Sequence, residues 1–423
     1  MAAGEPGARH GGTCYARRGG VAVPYAEVFV AFLRLGLTSF GGPVAHLGFL
    51  RTEFVTRRGW LDEPAYADTV ALCQFLPGPA SSQVAVALGM RRAGLPGGLL
   101  AWLGFTGPSA LAMLLFAEVV DRAGAVDQAP WLHGLKLVAV AVVAQAVWGM
   151  SRTLCPDRPR TTLAVAATLL ALALPGVAGQ LGAIALGAAV GLRLPREPVA
   201  PAAPTPVAPL RARVAPAGAI VALAGFAALL LGLPLLAEAG LGGHAMALVA
   251  RFYRAGALVF GGGHVVLPLL QQAVVPPGWI DNSRFLAGYG AAQAVPGPLF
   301  SFAAYLGAAM APAPNGWAGG LLCLFAIYLP SFLLLIGVLP FWDGLRARPP
   351  VRAALRGVNA SVVGLLLAAL YSPVWTSAVG TPADFALVLL AFLALLGWRV
   401  PPWAVVLGGA VIATALGWLG VPL

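Results

Sequence analysis

Gln74-Phe75-Leu76-Pro77-Gly78-Pro79-Ala80-Ser81-Ser82 returns in the second half of the chain as Gln293-Ala294-Val295-Pro296-Gly297-Pro298-Leu299-Phe300-Ser301. Each copy sits inside an apolar stretch. Proline removes a backbone donor and its ring clashes with the preceding turn, so a helix running through either copy must break there. Broken backbone is not tolerated against lipid, and at membrane depth it has to be buried in protein or line a wet cavity. Ala80-Ser81-Ser82 and Leu299-Phe300-Ser301 then open new helices whose first amides lack partners and whose dipole is positive, which makes an anion-binding end. A kinked helix that merely packs well is the competing reading, and the second copy weakens it.

The solvent around these stretches is lipid. Of 423 residues, 59% are hydrophobic and 10% charged, far from the balance of a soluble domain. The net charge of +11 would suggest nucleic acid in a soluble protein. Here no basic stripe is interleaved with aromatics and the arginines fall between apolar spans, so the expected surroundings are a lipid bilayer and no nucleic acid. Cys14, Cys73, Cys155 and Cys323 form no CxxC pair and have no histidine at ligand spacing, which argues against disulfides, a metal or any cofactor. Arg17-Arg18 precedes a stretch carrying Glu27 and Arg34 without a small-residue cleavage site, so 1 to 24 reads as a cytoplasmic tail.

Hydropathic stretches near the roughly 20-residue length of a spanning helix run at 25 to 46, 66 to 90, 97 to 120 and 132 to 150, with shorter ones at 161 to 174 and 178 to 194. These make an N-terminal repeat, 25 to 194. Residues 195 to 215, with six prolines from Pro195 to Pro209, read as an extended cytoplasmic linker. A linking transmembrane helix, 216 to 240, leads into a C-terminal repeat, 241 to 423, with stretches at 249 to 270, 285 to 310, 317 to 341, 353 to 371, 384 to 397 and 403 to 420. Phe32, Arg34, Gly36, Phe40, Gly41 and Gly42 fall on Phe252, Arg254, Gly256, Phe260, Gly261 and Gly262. Gly59-Trp60-Leu61-Asp62 falls on Gly278-Trp279-Ile280-Asp281, Pro108-Ser109 on Pro330-Ser331, and Lys136 on Arg356. The chain is duplicated. The expected fold is an all-α polytopic membrane protein of about 13 spans, with two six-helix halves related by inverted topology through the linking helix, and with broken helices. With the N-terminus cytoplasmic, the inside loops, 398 to 402 among them, hold eighteen arginines and the outside loops five, as the positive-inside rule requires. The loop at 47 to 65 is the exception, its three arginines lying on the outer side beside Glu53, Asp62 and Glu63.

Candidate substrate residues follow from the breaks. Phe40-Gly41-Gly42 and Phe260-Gly261-Gly262 interrupt the first helix of each half, where glycine allows close approach to a ligand or simply tight packing. Arg34 and Arg254 lie within those helices, where a cation costs about 3 kcal/mol unless it snorkels to the interface. Gln74 and Gln293 stand three residues before Pro77-Gly78-Pro79 and Pro296-Gly297-Pro298 and offer amide donors, as Ser81, Ser82 and Ser301 offer hydroxyls. Lys136 and Arg356 form a second symmetric cationic pair, either at the site or as topology signals. His46, Glu53 and His264 are candidates for proton coupling, with Glu118 behind them.

The ordered set in duplicate, Phe-Gly-Gly, Gly-Trp-Leu/Ile-Asp and Pro-Gly-Pro, resembles the chromate ion transporter family in its long, two-domain form, over nearly the whole chain outside the tail and linker. Pro43 against Gly263 is a departure from the repeat. The resemblance implies a cell-membrane protein with antiparallel homologous halves that exports chromate and so confers resistance, driven by the membrane gradient. A sulfate-like oxyanion is the close rival, because a site of generic hydrogen bonds separates isosteres poorly. A homodimer is a candidate assembly. The chain has no HExxH, GxSxG or aspartate-rich metal motif and no Walker A loop, so neither an enzyme nor an ATP-driven pump is expected; a passive anion channel shares every feature named.

Overall fold

The computed structural model describes residues 25–122, 129–174, 176–194, 215–260, 263–346 and 348–419. The tail, the proline-rich linker at 195 to 214, and Gly261 and Gly262 lie outside them. Every regular element among the described residues is helical. Among the described residues, five helices are long and apolar enough to cross a membrane: Ala80–Arg122, Pro130–Leu154, Pro216–Glu238, Gly316–Phe341 and Pro349–Ala378. Of the remaining hydropathic stretches, those at 25 to 46, 66 to 90, 249 to 270 and 285 to 310 are divided into shorter pieces, and the four short ones are the single helices Arg158–Ala173, Val177–Gly191, Pro382–Leu396 and Pro402–Trp418.

The stretch at 25 to 46, expected as one span, is two helices. Tyr25–Thr38 has 14 residues, about 21 Å at 1.5 Å per residue, against the roughly 30 Å of a hydrocarbon core. After Gly41 (φ +101°) the chain re-forms as Gly42–Arg51 and Thr52–Arg57 and runs back along the first helix. Phe54 stacks on Phe32 with centroids 4.6 Å apart, and Arg58 reaches Glu27 at 3.4 Å. The stretch at 66 to 90 repeats the device, with Glu63–Phe75 ending at Leu76 and a new helix beginning at Ala80. That helix is non-helical at Ala93 and Gly94, and Gly89 lies against Gly97 across the bend. A straight helix would hold those two glycines about 12 Å apart, so the chain folds back there, and Arg92 meets Glu27 at 3.0 Å. The 47 to 65 loop and the turn after Arg92 therefore share one end of the molecule.

The second half is built the same way. Gly243–Ala257 is followed by Val266–Val274 running back, with Arg251 Nη1 donating to the Ala273 carbonyl at 2.6 Å. Asn282–Ala294 is followed, after its break, by Leu299–Ser301 and Phe302–Ala309. The Ala311 amide donates to the Trp279 carbonyl at 3.0 Å, so this pair too returns to its starting end.

Gly-Trp-Leu/Ile-Asp sits at the mouths of these hairpins. Its glycine turns the chain at positive φ in both copies (Gly59 +58°, Gly278 +75°). Its tryptophan lies under guanidinium groups, those of Arg58 and Arg92 for Trp60 and that of Arg251 for Trp279. Its aspartate caps the next helix, Asp62 accepting from the Ala65 amide at 2.9 Å and Asp281 from the Arg284 amide at 2.7 Å, which satisfies amides that open a helix without partners.

Gly36 and Gly256 let the first helix of each half lie directly on a long one. A Cβ at Gly36 would stand 2.5 Å from the Gly104 carbonyl, and one at Gly256 would strike that of Ile327. Each half then ends in a hairpin that packs on the other half. Arg158–Ala173 and Val177–Gly191 lie against Pro349–Ala369, while Pro382–Leu396 and Pro402–Trp418 lie against Pro130–Leu154. The C-terminal hairpin is pinned at its mouth, where His133 meets the buried Asp384 at 2.7 Å.

Candidate functional site

The two Pro-Gly-Pro breaks are joined across the halves by a reciprocal pair of backbone hydrogen bonds. The Gly78 amide donates to the Val259 carbonyl at 2.7 Å, and the Gly297 amide donates to the Ser39 carbonyl at 2.9 Å. Val259 and Ser39 are repeat equivalents, each directly before its Phe-Gly-Gly motif. Gly78 (φ +121°) and Gly297 (φ +107°) adopt backbone that side chains rarely accept. Each also lies under the equivalent serine of the other half. A Cβ at Gly297 would stand 2.9 Å from Ser109 Oγ, and one at Gly78 would collide with Ser331 Oγ. The motif thus serves as an inter-half joint as well as a helix breaker. The glycine amides between the prolines are thus already bonded to protein. The donors left for an anion are the helix-opening amides. In the first half these precede the first helical bond, from the Gln83 amide to the Pro79 carbonyl, and in the second the bond from the Ser301 amide to the Pro298 carbonyl.

A cavity of about 370 Å³ opens beside the second break. It is lined from the first half by Phe40, Gly41, Gly42, Pro43 and Gln145, and from the second by His264, Gln293, Gly297 and Arg399. Among the described residues, Arg399 is the only Arg, Lys, Asp or Glu in that lining, and none of them brings a carboxylate to the cavity. Gln293 is buried at its amide beside the Tyr289 hydroxyl, with which it interacts, and a primary amide nitrogen has a second N–H to offer. His264 Nδ1 and the Tyr289 hydroxyl are 2.9 Å apart, which ties the histidine to the wall.

His46 lies at the joint itself, 1% exposed. Its Nε2 stands 3.1 Å from the Ser39 carbonyl, which can only accept, so this nitrogen carries the proton. Its Nδ1 is 3.5 Å from Ser81 Oγ. One imidazole thereby connects the Phe-Gly-Gly break of the first half with the helix that opens after Pro79.

Of the residues singled out in the sequence, the structure gathers Phe40, Gly41, Gly42, His264, Gln293 and Gly297 around the cavity, with Pro296 and Pro298 flanking Gly297. Ser82 is buried, 3.4 Å from the Tyr328 hydroxyl, and Ser301 donates to the Pro298 carbonyl. Phe260 is half-buried and Gln74 exposed, while Gly261 and Gly262 lie outside the described residues. Pro77 accepts from Gln83 Nε2 at 2.8 Å. Other candidates stand apart from both breaks. Arg34 is exposed on the same face of its helix as Val30 and Leu37, and Arg254 is half-buried. Lys136 is buried and donates to Ser283 Oγ at 3.5 Å; Arg356 is half-buried in Pro349–Ala369. Glu53 accepts from Arg57 and Arg58 at 2.7 and 2.6 Å and belongs to a hairpin mouth, and Glu118 binds Trp317 and Arg122. Arg399 and Gln145 are cavity residues that the sequence reading did not single out. The available signal was that the stretches at 384 to 397 and 403 to 420 are both short, so the arginine between them need not reach the membrane surface.

A family model described as chromate transporter matches the chain twice, over residues 26–192 and 246–414. The chromate transport protein of Pseudomonas aeruginosa is 31% identical over 350 residues, covering 81% of this chain and 79% of that one. The chromate transport protein of Cupriavidus metallidurans is 26% identical over 373 residues, 87% of each chain. The probable chromate transport protein of Synechococcus elongatus is 27% identical over 363 residues, 80% of this chain and 81% of that one. No solved structure matches.

Proposed function

The chain belongs to the chromate transporter family, and from that premise we propose that it moves chromate across the cell membrane as a gradient-driven exporter. The oxyanion is held where the broken helices of the two halves meet. Each Pro-Gly-Pro and Phe-Gly-Gly pair forms the tips of two re-entrant hairpins, entering from one face in the first half and from the other in the second. This reading keeps the inverted repeat and replaces most of the thirteen spans with five crossings, because a hairpin adds no net crossing. Charge supports it. With the N-terminus cytoplasmic, nineteen arginines fall on the inner side and three, Arg122, Arg251 and Arg284, on the outer, with Arg34, Arg254 and Arg399 at depth. The 47 to 65 loop, exceptional under the thirteen-span count, becomes cytoplasmic and obeys the rule.

The observation that carries the function is the cavity itself. It lies against broken backbone from both halves and, among the described residues, is lined by one arginine, the Gln293 amide and no carboxylate. Helix-opening amides and their dipoles add positive potential without the cost of further buried cations. Arg34 and Arg254 enter through the field along the first helices rather than as direct ligands. The reciprocal Gly78 and Gly297 bonds form the joint about which the halves rock.

Chromate uptake into inverted proteoliposomes under an imposed pH gradient tests this. Accumulation that collapses with the gradient and is competed by sulfate is expected. Absence of both chromate flux and sulfate competition contradicts the reading, and downhill flux indifferent to the gradient marks a channel.

A further inference from the structure

We propose that Arg399, at the tip of the C-terminal hairpin, is the residue that selects a doubly charged oxyanion in the cavity, with the Gln293 amide as its hydrogen-bonding companion. The inference rests on the oxyanion reading above and assigns the charge-recognising group within it.

The hairpin's geometry brings the guanidinium to the breaks. Pro382–Leu396 begins where Asp384 meets His133 and ends where the Leu395 carbonyl accepts from Gln145 Nε2 at 3.5 Å. His133 and Gln145 stand on one helix, 12 residues apart in sequence, so the tip lies about 18 Å deeper than the mouth. An arginine at that depth is expensive and marks function by default. The residue is exposed and lines a cavity that Gly42 and His264 also line, and among the described residues no carboxylate pairs with it.

Its backbone carries a second signal. Arg399 is the only non-glycine with positive φ (+55°) among the described residues. The left-handed region is disfavoured for L residues other than asparagine and aspartate, and such strain persists where the side chain is needed. Glycine would meet the backbone requirement without strain and lose the cation. The planar guanidinium presents two parallel donors to a tetrahedral oxyanion, which a lysine cannot do. Gln293, in the same lining, interacts with Tyr289 and has a second amide N–H to supply as a neutral donor.

Calorimetric titration of the purified full chain with chromate, sulfate and nitrate, alongside thermal midpoints, tests the assignment in Arg399→Gln, Arg399→Lys and Arg399→Gly. Expected are wild-type binding of the two dianions in preference to nitrate, loss of at least about tenfold affinity in the Gln and Gly variants, and partial retention in Lys. The Gly variant is expected to keep or raise its midpoint. Wild-type dianion affinity in Arg399→Gln overturns the inference while leaving the oxyanion reading intact. A Gly variant that loses midpoint and affinity together makes the residue structural and overturns it as well. A wild-type chain that binds neither dianion removes the oxyanion reading, and the inference with it.

Discussion

The two Pro-Gly-Pro breaks share one backbone design and differ in what surrounds them. At the first, Gly78 is buried beneath Ser331, Gln83 bonds back to Pro77, and the serines after the break are occupied with His46 and Tyr328. At the second, Gly297 faces a cavity that Gln293 also lines, and a charged hairpin tip completes the wall. Duplication supplied a symmetric scaffold and later substitution made its chemistry unequal. Histidine shows the same divergence, since His46 holds a joint while His264 lines the cavity, and the two do not align in the repeat.

The comparison is sharpened most by adding one methyl group to each break. Alanine at either glycine must adopt a backbone costing about 1–3 kcal/mol. At Gly78 it must also displace Ser331 Oγ and the Gln83 amide, for a total of about 2–4 kcal/mol, whereas at Gly297 the nearest atom, Ser109 Oγ at 2.9 Å, has less far to yield. Gly78→Ala is therefore expected to lower the thermal midpoint more than Gly297→Ala. Ser331→Ala in the same chain should recover the part of the steric cost due to its hydroxyl, since Ser331 Oγ has no partner to lose, while Gln83 Nε2 still stands 2.8 Å from the added methyl. Equal losses at the two glycines, or no recovery, would show that the two environments do not differ as described.

A smaller effect is expected at the joint. His46→Ala removes one donor from the Ser39 carbonyl, and the Gly297 amide remains on it, so destabilisation of about 1–3 kcal/mol is expected. His46→Gln, which keeps a donor in reach, should recover part of it. If both variants keep a wild-type midpoint and lose gradient-driven flux, His46 belongs to proton coupling rather than to the joint.

The sequence made the breaks legible because proline and glycine act locally. Pro77-Gly78-Pro79 interrupts a helix whatever surrounds it, and the duplicated order of motifs exposed the repeat. It did not make legible the direction taken after each break. A 22-residue apolar stretch has the same hydropathy whether it crosses once or turns back at Gly41, and only contacts such as Arg58 with Glu27 distinguish the two. The loop from 47 to 65 already carried the clue, as a charge exception. The cations were the hardest part. Arg34 and Arg399 are both arginines within apolar surroundings, and helix rotation and hairpin packing, which a single sequence does not encode locally, put one on an outer face and the other against the cavity.

Side-specific thiol labelling in a cysteine-free background tests the re-entrant architecture most directly. Thr56 and Leu95 are exposed at the end shared by the first-half hairpins, and Arg122 is exposed at the far end of the crossing that follows. With Thr56→Cys, Leu95→Cys and Arg122→Cys each labelled by an impermeant maleimide in intact cells and in inverted vesicles, the account predicts that residues 56 and 95 react from the cytoplasmic side and residue 122 from the opposite one. Labelling of residue 56 from the same side as residue 122 would mean that 25 to 46 crosses as one span, and would contradict it.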